Sequence, residues 1–285
     1  MARIFFYLVL KPLSLLPLGV LYVLSDVLFF VIYHLVKYRR RVVHENLVKS
    51  FPEKTRSEIT VLERDFYSHL CDLVVESIRL FSIPEEEAKR RCRLINPELL
   101  DPFYNKGRSA LVVAGHYNNW EIGGTVFPLF TRHKVMGIYA PMSNAFFNDR
   151  FVETRGRFGL KLVSKKVVTD WFRDNIHEPW VVLFGADQSP THSKVVHWTQ
   201  FLNQETAVML GTERYAREYN YPVVYVYVSK IKRGVYQMEL KLICDQSEDT
   251  EPGFITETHT RWLETQIREN PQYWLWTHRR WKRRR

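Results

Sequence analysis

In Leu111-Val112-Val113-Ala114-Gly115-His116-Tyr117-Asn118-Asn119-Trp120-Glu121-Ile122-Gly123 an apolar run stops at a glycine, and a histidine and a carboxylate follow, five residues apart. An apolar run of this length, closed by a turn residue, predicts a short buried strand over 111–114 with the chain turning at Gly115. Asn119 is a candidate N-cap, which puts Glu121 in the first turn of a helix, where the helix dipole favours an ionised carboxylate. On one continuous helix His116 and Glu121 would stand about 140° apart around the axis and would not meet. A strand–loop–helix junction removes that obstacle, because the helix can fold back until Glu121 reaches His116. Together the two make a general-base pair: the imidazole takes a proton from a hydroxyl, and the carboxylate holds the ring and favours the imidazolium. Neither serine nor cysteine stands in the motif, so direct group transfer is expected, without a covalent enzyme intermediate. The plainer alternative is a buried histidine that caps a helix. Asn118 and Asn119, between the pair, are candidates for substrate contact.

Outward from this junction the pattern alternates. Strands are expected at 110–114, 134–139, 180–184, 223–229 and 236–242, with helices between them at 120–130, 145–158, 167–176 and 207–219. Strands alternating with helices predict βαβ units, and so an α/β fold with a central, mostly parallel sheet flanked by helices. Before the sheet, residues 56–81 carry Ile59, Leu62, Phe66, Leu70, Leu73, Val74 and Ile78 at steps of three and four, a helix with Ser57 as a possible cap. A charged helix at 84–93 and a last helix at 255–269 each end before an Asn-Pro pair.

The chain has 285 residues, 46% hydrophobic and 14% aromatic, enough for a sizeable core and unlike a disordered protein. Its net charge of +10 suits anionic partners. Cys71, Cys92 and Cys244 are scattered, with neither metal spacing nor a disulfide framework, and fit a reducing compartment. Residues 13–36 are almost continuously apolar, with Asp26 the only acidic residue and no lysine or arginine. That exceeds the roughly 20 residues needed to cross a bilayer. The stronger positive flank, Lys37, Arg39, Arg40 and Arg41, follows the segment, so the main domain is expected on the cytoplasmic side. Pro12, Pro17 and Asp26 leave an in-plane attachment as the alternative to a span.

Three further segments are candidates for the site. In Arg155-Gly156-Arg157-Phe158-Gly159 the glycines do not follow a strand, which argues against a dinucleotide loop. In Trp180-Val181-Val182-Leu183-Phe184-Gly185-Ala186-Asp187-Gln188 a second apolar strand runs into a polar loop, so Asp187 and Gln188 emerge at the carboxyl ends of the strands, where open α/β sheets place their sites. The chain closes on Tyr273-Trp274-Leu275-Trp276-Thr277-His278-Arg279-Arg280-Trp281-Lys282-Arg283-Arg284-Arg285, with six of the last seven residues basic. Arginine and tryptophan together suit an anionic membrane interface, while no recognised module accompanies the charge to suggest nucleic acid. His133, His177, His192, His197 and His278 form no zinc-type pair on a helix, so no metal is expected.

The motif Gly-His-Tyr-Asn-Asn-Trp-Glu at 115–121 resembles the His-x4-Asp/Glu signature of glycerolipid acyltransferases. The likeness extends to Tyr38-Arg39-Arg40-Arg41, Asn46-Leu47, Ser50-Phe51-Pro52, the Asp187 loop and the His-Arg-Arg-Trp-Lys end, and it points to the bacterial lipid A biosynthesis (lauroyl/myristoyl) acyltransferase family. The resemblance implies a fatty acyl group moved from an acyl thioester, usually on acyl carrier protein, to a hydroxyl of a membrane lipid precursor. His116 would be the general base, with Glu121 its partner. One of Arg155 and Arg157 would hold an anionic group of the substrate, and Asp187 would position the acceptor or the surroundings of His116. Neither a metal nor a bound organic cofactor is implied. An acidic carrier protein and an anionic inner-membrane surface are the implied partners, and nucleic acid is not. Lysophospholipid or aminolipid is the alternative acceptor; a non-catalytic basic membrane-binding protein and a metal-dependent hydrolase are the alternative classes. Ile122, Val126 and Phe127 are candidates for the acyl-tunnel wall, though ordinary core packing is the favoured role for each. The expected organisation is a membrane-anchoring helix (1–36), a helical segment packed on the core (37–105) and the α/β core with its basic tail (106–285).

Overall fold

The computed structural model describes residues 1–285 except 176, 191–194 and 284. Its centre is the apolar run of the motif, strand β2 (Ala110–Ala114). Alternate residues of a strand face opposite sides, so Leu111 and Val113 enter one core cluster and Ala110 and Val112 the other. A strand buried on both faces needs covering layers on both, and helices supply them.

Seven strands make the sheet. They are β1 (Cys92–Leu94), β2, β3 (Lys134–Tyr139), β4 (Leu160–Ser164), β5 (Trp180–Gly185), β8 (Val223–Lys232) and β9 (Val235–Cys244), in the order β1-β9-β8-β2-β5-β3-β4. Only β8 and β9 pair antiparallel; all other neighbours are parallel. The mostly parallel α/β sheet is therefore present, and β2 and β5 are adjacent with Ala114 opposite Gly185. A separate hairpin, β6 (His197–Phe201) and β7 (Gln204–Val208), turns through Leu202 and Asn203, both left-handed.

Several elements differ from expectation. The helix expected at 207–219 begins only at Gly211, because Ala207 and Val208 belong to β7. The expected helix at 167–176 is observed as Val168–Asp174; residue 176 lies outside the described residues. Strands β1, β4, β6 and β7 were not expected. The long helix Arg56–Arg79 is capped by Thr55 rather than Ser57. Thr55 and Glu58 form a capping box in which each side chain meets the other's main-chain N–H.

The amino-terminal apolar segment is not one helix. Leu16, before Pro17, takes an extended ψ of 148°, the conformation the proline ring imposes on its predecessor. One helical stretch covers residues 2–15 and a second covers Leu18–Val36.

Candidate active site

Two parallel neighbouring strands deliver the centre of the site. His116 stands two residues beyond Ala114 of β2, and Asp187 two residues beyond Gly185 of β5; Ala114 and Gly185 are register partners. The two side chains therefore leave the sheet's carboxyl edge at the same level. His116 Nδ1 lies 2.6 Å from Asp187 Oδ1, and the His116 main-chain N–H donates to Oδ2 at 2.9 Å. The indole N–H of Trp274 also donates to Oδ2, at 2.8 Å. A carboxylate on Nδ1 assigns the ring proton there and leaves a lone pair on Nε2, the form required of a base. The Gln188 amide lies 3.3 Å from Nε2.

Two glycines let the parts approach. A Cβ at Gly185 would lie 3.0 Å from His116 Cε1, and one at Gly115 only 2.6 Å from Leu263 Cδ1. Electrostatics then tune the pair. Burial opposes the imidazolium, but the charge and hydrogen bond of Asp187, assisted by the nearby Glu121 charge, outweigh it and raise His116 above the ordinary histidine value. Asp187 is buried too, which disfavours its charge, yet the imidazole and its hydrogen bonds hold it well below the usual carboxylate range.

Glu121 does not make the contact expected of it. It sits in the first turn of the helix Trp120–Val126, capped by Asn119, whose Oδ1 accepts from Ile122 N–H at 3.0 Å. From there its carboxylate takes both arms of Arg155, Nε at 2.9 Å and NH2 at 2.6 Å, and the Trp120 indole N–H at 3.0 Å. The ring partner of His116 is Asp187, while Glu121 serves Arg155. The reason is geometric: a register-matched residue on the neighbouring strand reaches Nδ1, and the cap turns Glu121 towards the helix Ala145–Gly156. Arg155 also stacks on Phe151, and Trp120 packs edge-on against His116 at 5.3 Å between centroids.

Arg155 and Arg157 have different partners. Arg157 donates to the Leu80 carbonyl at 2.9 Å, away from Glu121, and burial lowers its pKa. Asn118 and Asn119 are buried framework. Asn118 has φ of 53° and donates to the Val228 carbonyl, and Asn119 donates to Glu76 at 2.6 Å. Ile122, Val126 and Phe127 all lie in one core cluster.

The closing basic stretch is mostly not a surface tail. Trp274, Trp276, Thr277 and Arg280 are buried. His278 Nε2 accepts from the Ser189 main-chain N–H, Arg280 donates to the Ala207 carbonyl, and Trp281 donates to Thr206. This arm clamps the loop that carries Asp187. Arg279, Lys282 and Arg285 stay exposed. The tryptophans expected at a membrane interface are packed inside instead, Trp274 and Trp276 at 2% and 0% exposed. Behind Asp187 a cavity of about 10 Å³ is lined by Arg280, His259, Tyr225 and Leu263 among others. Burial pushes His259 down to about 4 and Arg280 to about 10.

The remaining histidines are dispersed. His133 bonds Thr131 and the Arg108 carbonyl, His197 bonds Glu257, and His177 is exposed; His192 lies outside the described residues.

Comparison with known proteins gives a consistent result. A family model described as bacterial lipid A biosynthesis acyltransferase matches residues 2–283. The chain is similar to a lipid A biosynthesis lauroyltransferase of Escherichia coli (strain K12), 24% identical over 290 residues, covering 95% of this chain and 92% of the relative. It is also similar to a lipid A biosynthesis palmitoleoyltransferase of the same organism, 23% identical over 258 residues, with 87% and 80% covered.

Proposed function

We propose that this chain, which belongs to the bacterial lipid A biosynthesis acyltransferase family, moves a fatty acyl group from acyl carrier protein to a hydroxyl of a lipid A precursor, at the inner membrane with its catalytic domain facing the cytoplasm. The observation that carries the mechanism is His116: Nδ1 bound to a buried carboxylate, Nε2 a lone pair at the carboxyl edge of the sheet.

The acceptor hydroxyl takes the place of the Gln188 amide at Nε2. Its oxygen attacks the thioester carbonyl carbon as its proton passes to Nε2, which forms a C–O bond and a tetrahedral oxyanion. Collapse breaks the C–S bond, and the imidazolium returns the proton to the leaving thiolate. Asp187 stabilises the imidazolium throughout, and such positioned proton transfer is worth about 10²–10⁴ in rate. Arg155, oriented by Glu121, is the cation that faces the developing oxyanion or an anionic group of the substrate. The Glu121 charge also reaches the imidazole through space. The net charge of +10 suits an acidic carrier protein and phosphorylated lipid.

The test is lipid mass spectrometry on a Gram-negative host expressing wild type or H116A. One acyl chain gained on lipid A with wild type alone supports the proposal. A gain confined to phospholipid or aminolipid keeps the chemistry and replaces the acceptor. Equal activity of wild type and H116A with purified acyl carrier thioester would sink the general-base role.

A further inference from the structure

We propose that the amino-terminal helices form a monotopic surface that lies flat in one leaflet of an anionic bilayer, and that Leu18–Val36 does not cross it. The proposal rests on the membrane attachment above and specifies its geometry.

Length and composition permit a span: Leu18–Val36 has 19 apolar-rich residues. Its packing does not. Leu21, Ser25, Phe29 and Tyr33, at steps of four, face the protein; Leu21, Ser25 and Tyr33 are 0%, 1% and 5% exposed. Along its length this helix is bonded to the long helix Arg56–Arg79, to Arg233 and to Arg40. Tyr22 donates to Glu76 at 2.8 Å, Ser25 to Asp72 at 2.8 Å, Arg233 pairs with Asp26 at 2.6 Å, and Arg40 donates to Tyr33 at 3.2 Å. From Tyr22 to Tyr33 these ties run about 17 Å along the axis, at 1.5 Å per residue. A helix aligned with the bilayer normal would carry Asp72, Glu76, Lys230 and Arg233 into the hydrocarbon with it. Asp26 is 64% exposed and Arg233 39% by side chain, so that ion pair would face lipid directly. Charged groups are tolerated there only when shielded by protein or water.

The opposite face is the one left to lipid. Val20, Val23, Val27 and Phe30 are 51%, 65%, 56% and 57% exposed on one stripe. The first stretch is held down in the same way: Arg79 donates to the Ser14 carbonyl and Lys11 to the Phe81 carbonyl, while Ile4 and Leu8 point out at 63% and 73%. At the kink between the two helices a groove of about 620 Å³ is lined by apolar residues alone, including Leu13, Leu16, Val20 and Val27. Acyl tails match that lining. Exposed Arg3 precedes the apolar surface and exposed Lys37, Arg39 and Arg41 follow it, placed for lipid phosphates. Glu76, which receives Tyr22, also receives Asn119 of the site motif. One carboxylate thus ties the embedded helix to the catalytic loop.

The experiment is protease mapping of the full-length protein with a cleavable tag at Met1 and another after Arg285, in spheroplasts and in inverted inner-membrane vesicles. The expected result is that both tags are protected in spheroplasts and both are cut in inverted vesicles. A Met1 tag cut in spheroplasts while the carboxyl tag is protected means a span and overturns the proposal. Wild type found in the soluble fraction overturns the membrane reading beneath it. In parallel, V23E/V27E is expected to lose at least tenfold in binding to phosphatidylglycerol-containing vesicles with an unchanged melting temperature, since neither residue faces the core. If that pair misfolds, V23S/V27S makes the same comparison. Unchanged vesicle binding by a folded variant also overturns the proposal.

Discussion

Replacing Asp187 by asparagine changes no side-chain volume and removes one charge. Wild-type Asp187 receives three N–H groups, from His116 Nδ1 at 2.6 Å, the His116 main chain at 2.9 Å and Trp274 at 2.8 Å. Asparagine has one acceptor oxygen. If that oxygen stays with the main chain and Trp274, the amide NH2 faces Nδ1, and the imidazole proton must move to Nε2, where the lone pair is needed. An inverted tautomer in an Asp–His pair costs about 10⁴ in rate, and loss of a positioned base about 10²–10⁴. D187N should therefore lose about 10³–10⁴ in kcat/KM, or about 4–5 kcal/mol of barrier. The pH profile supplies a second readout. Wild-type His116 is raised, so activity climbs with pH through a value above the ordinary histidine range. With the aspartate charge gone, burial dominates and lowers the histidine, so the residual acid limb moves to lower pH. The assay is purified enzyme with acyl carrier thioester and lipid acceptor in mixed micelles from pH 5 to 9. D187N within about threefold of wild type, with the limb unmoved, would refute the Asp187–His116 pairing.

Glu121→Gln and Arg155→Ala should each lose about 10²-fold, and the double variant little more, since both disrupt one ion pair; additive losses in kcat/KM would show Glu121 acting on His116 independently of Arg155. Trp274→Phe removes a donor to a buried carboxylate, worth about 1.5–3 kcal/mol of stability, and should lower both the denaturation midpoint and activity; unchanged activity would detach the carboxyl-terminal arm from the site. His259 is held at about 4 against an ordinary 6.5. As pH falls through 6.5 the unfolded chain takes the proton first, so stability drops by about 2 kcal/mol by pH 5. In denaturant titrations at pH 7 and pH 5, His259→Gln should flatten that loss, and an identical slope would discount it.

The parts of this molecule that can be read from its sequence are those whose signal is local. Five apolar residues ended by Gly115 make β2 legible, and Trp180–Gly185 is the same signal repeated. β4 escapes because Leu160–Ser164 carries Lys161 and Ser164 and so lacks the unbroken apolar run of β2. The β6–β7 hairpin escapes because its left-handed turn is Leu202-Asn203, with no glycine to announce it. The cap of Trp120–Val126 is legible in Asn119, whereas Arg56–Arg79 is capped by Thr55, two residues upstream of Ser57, because Thr55 has Glu58 three residues on to complete the box. The partner of His116 was illegible for a different reason. It depends on which strand lies beside β2 and in what register, and Asp187 is 71 residues away.

That non-local placement gives the two carboxylates different work. Asp187 is 7% exposed, buried by Trp274 and its loop, so it cannot meet substrate without dismantling its own hydrogen bonds. Its influence passes entirely through the imidazole. Glu121 and Arg155 keep 16% and 24% of their side chains exposed, so in the proposed mechanism their ion pair is the one open to substrate. Were Glu121 the ring's partner, Arg155 would lose the carboxylate that fixes its fork, and the site would have two anions on one imidazole and no positioned cation for the oxyanion. With Asp187 on Nδ1, the imidazole and the guanidinium, the proposed base and cation, are each held by a separate carboxylate, and the sequence motif His-x4-Glu marks the two ends of that division rather than a single contact.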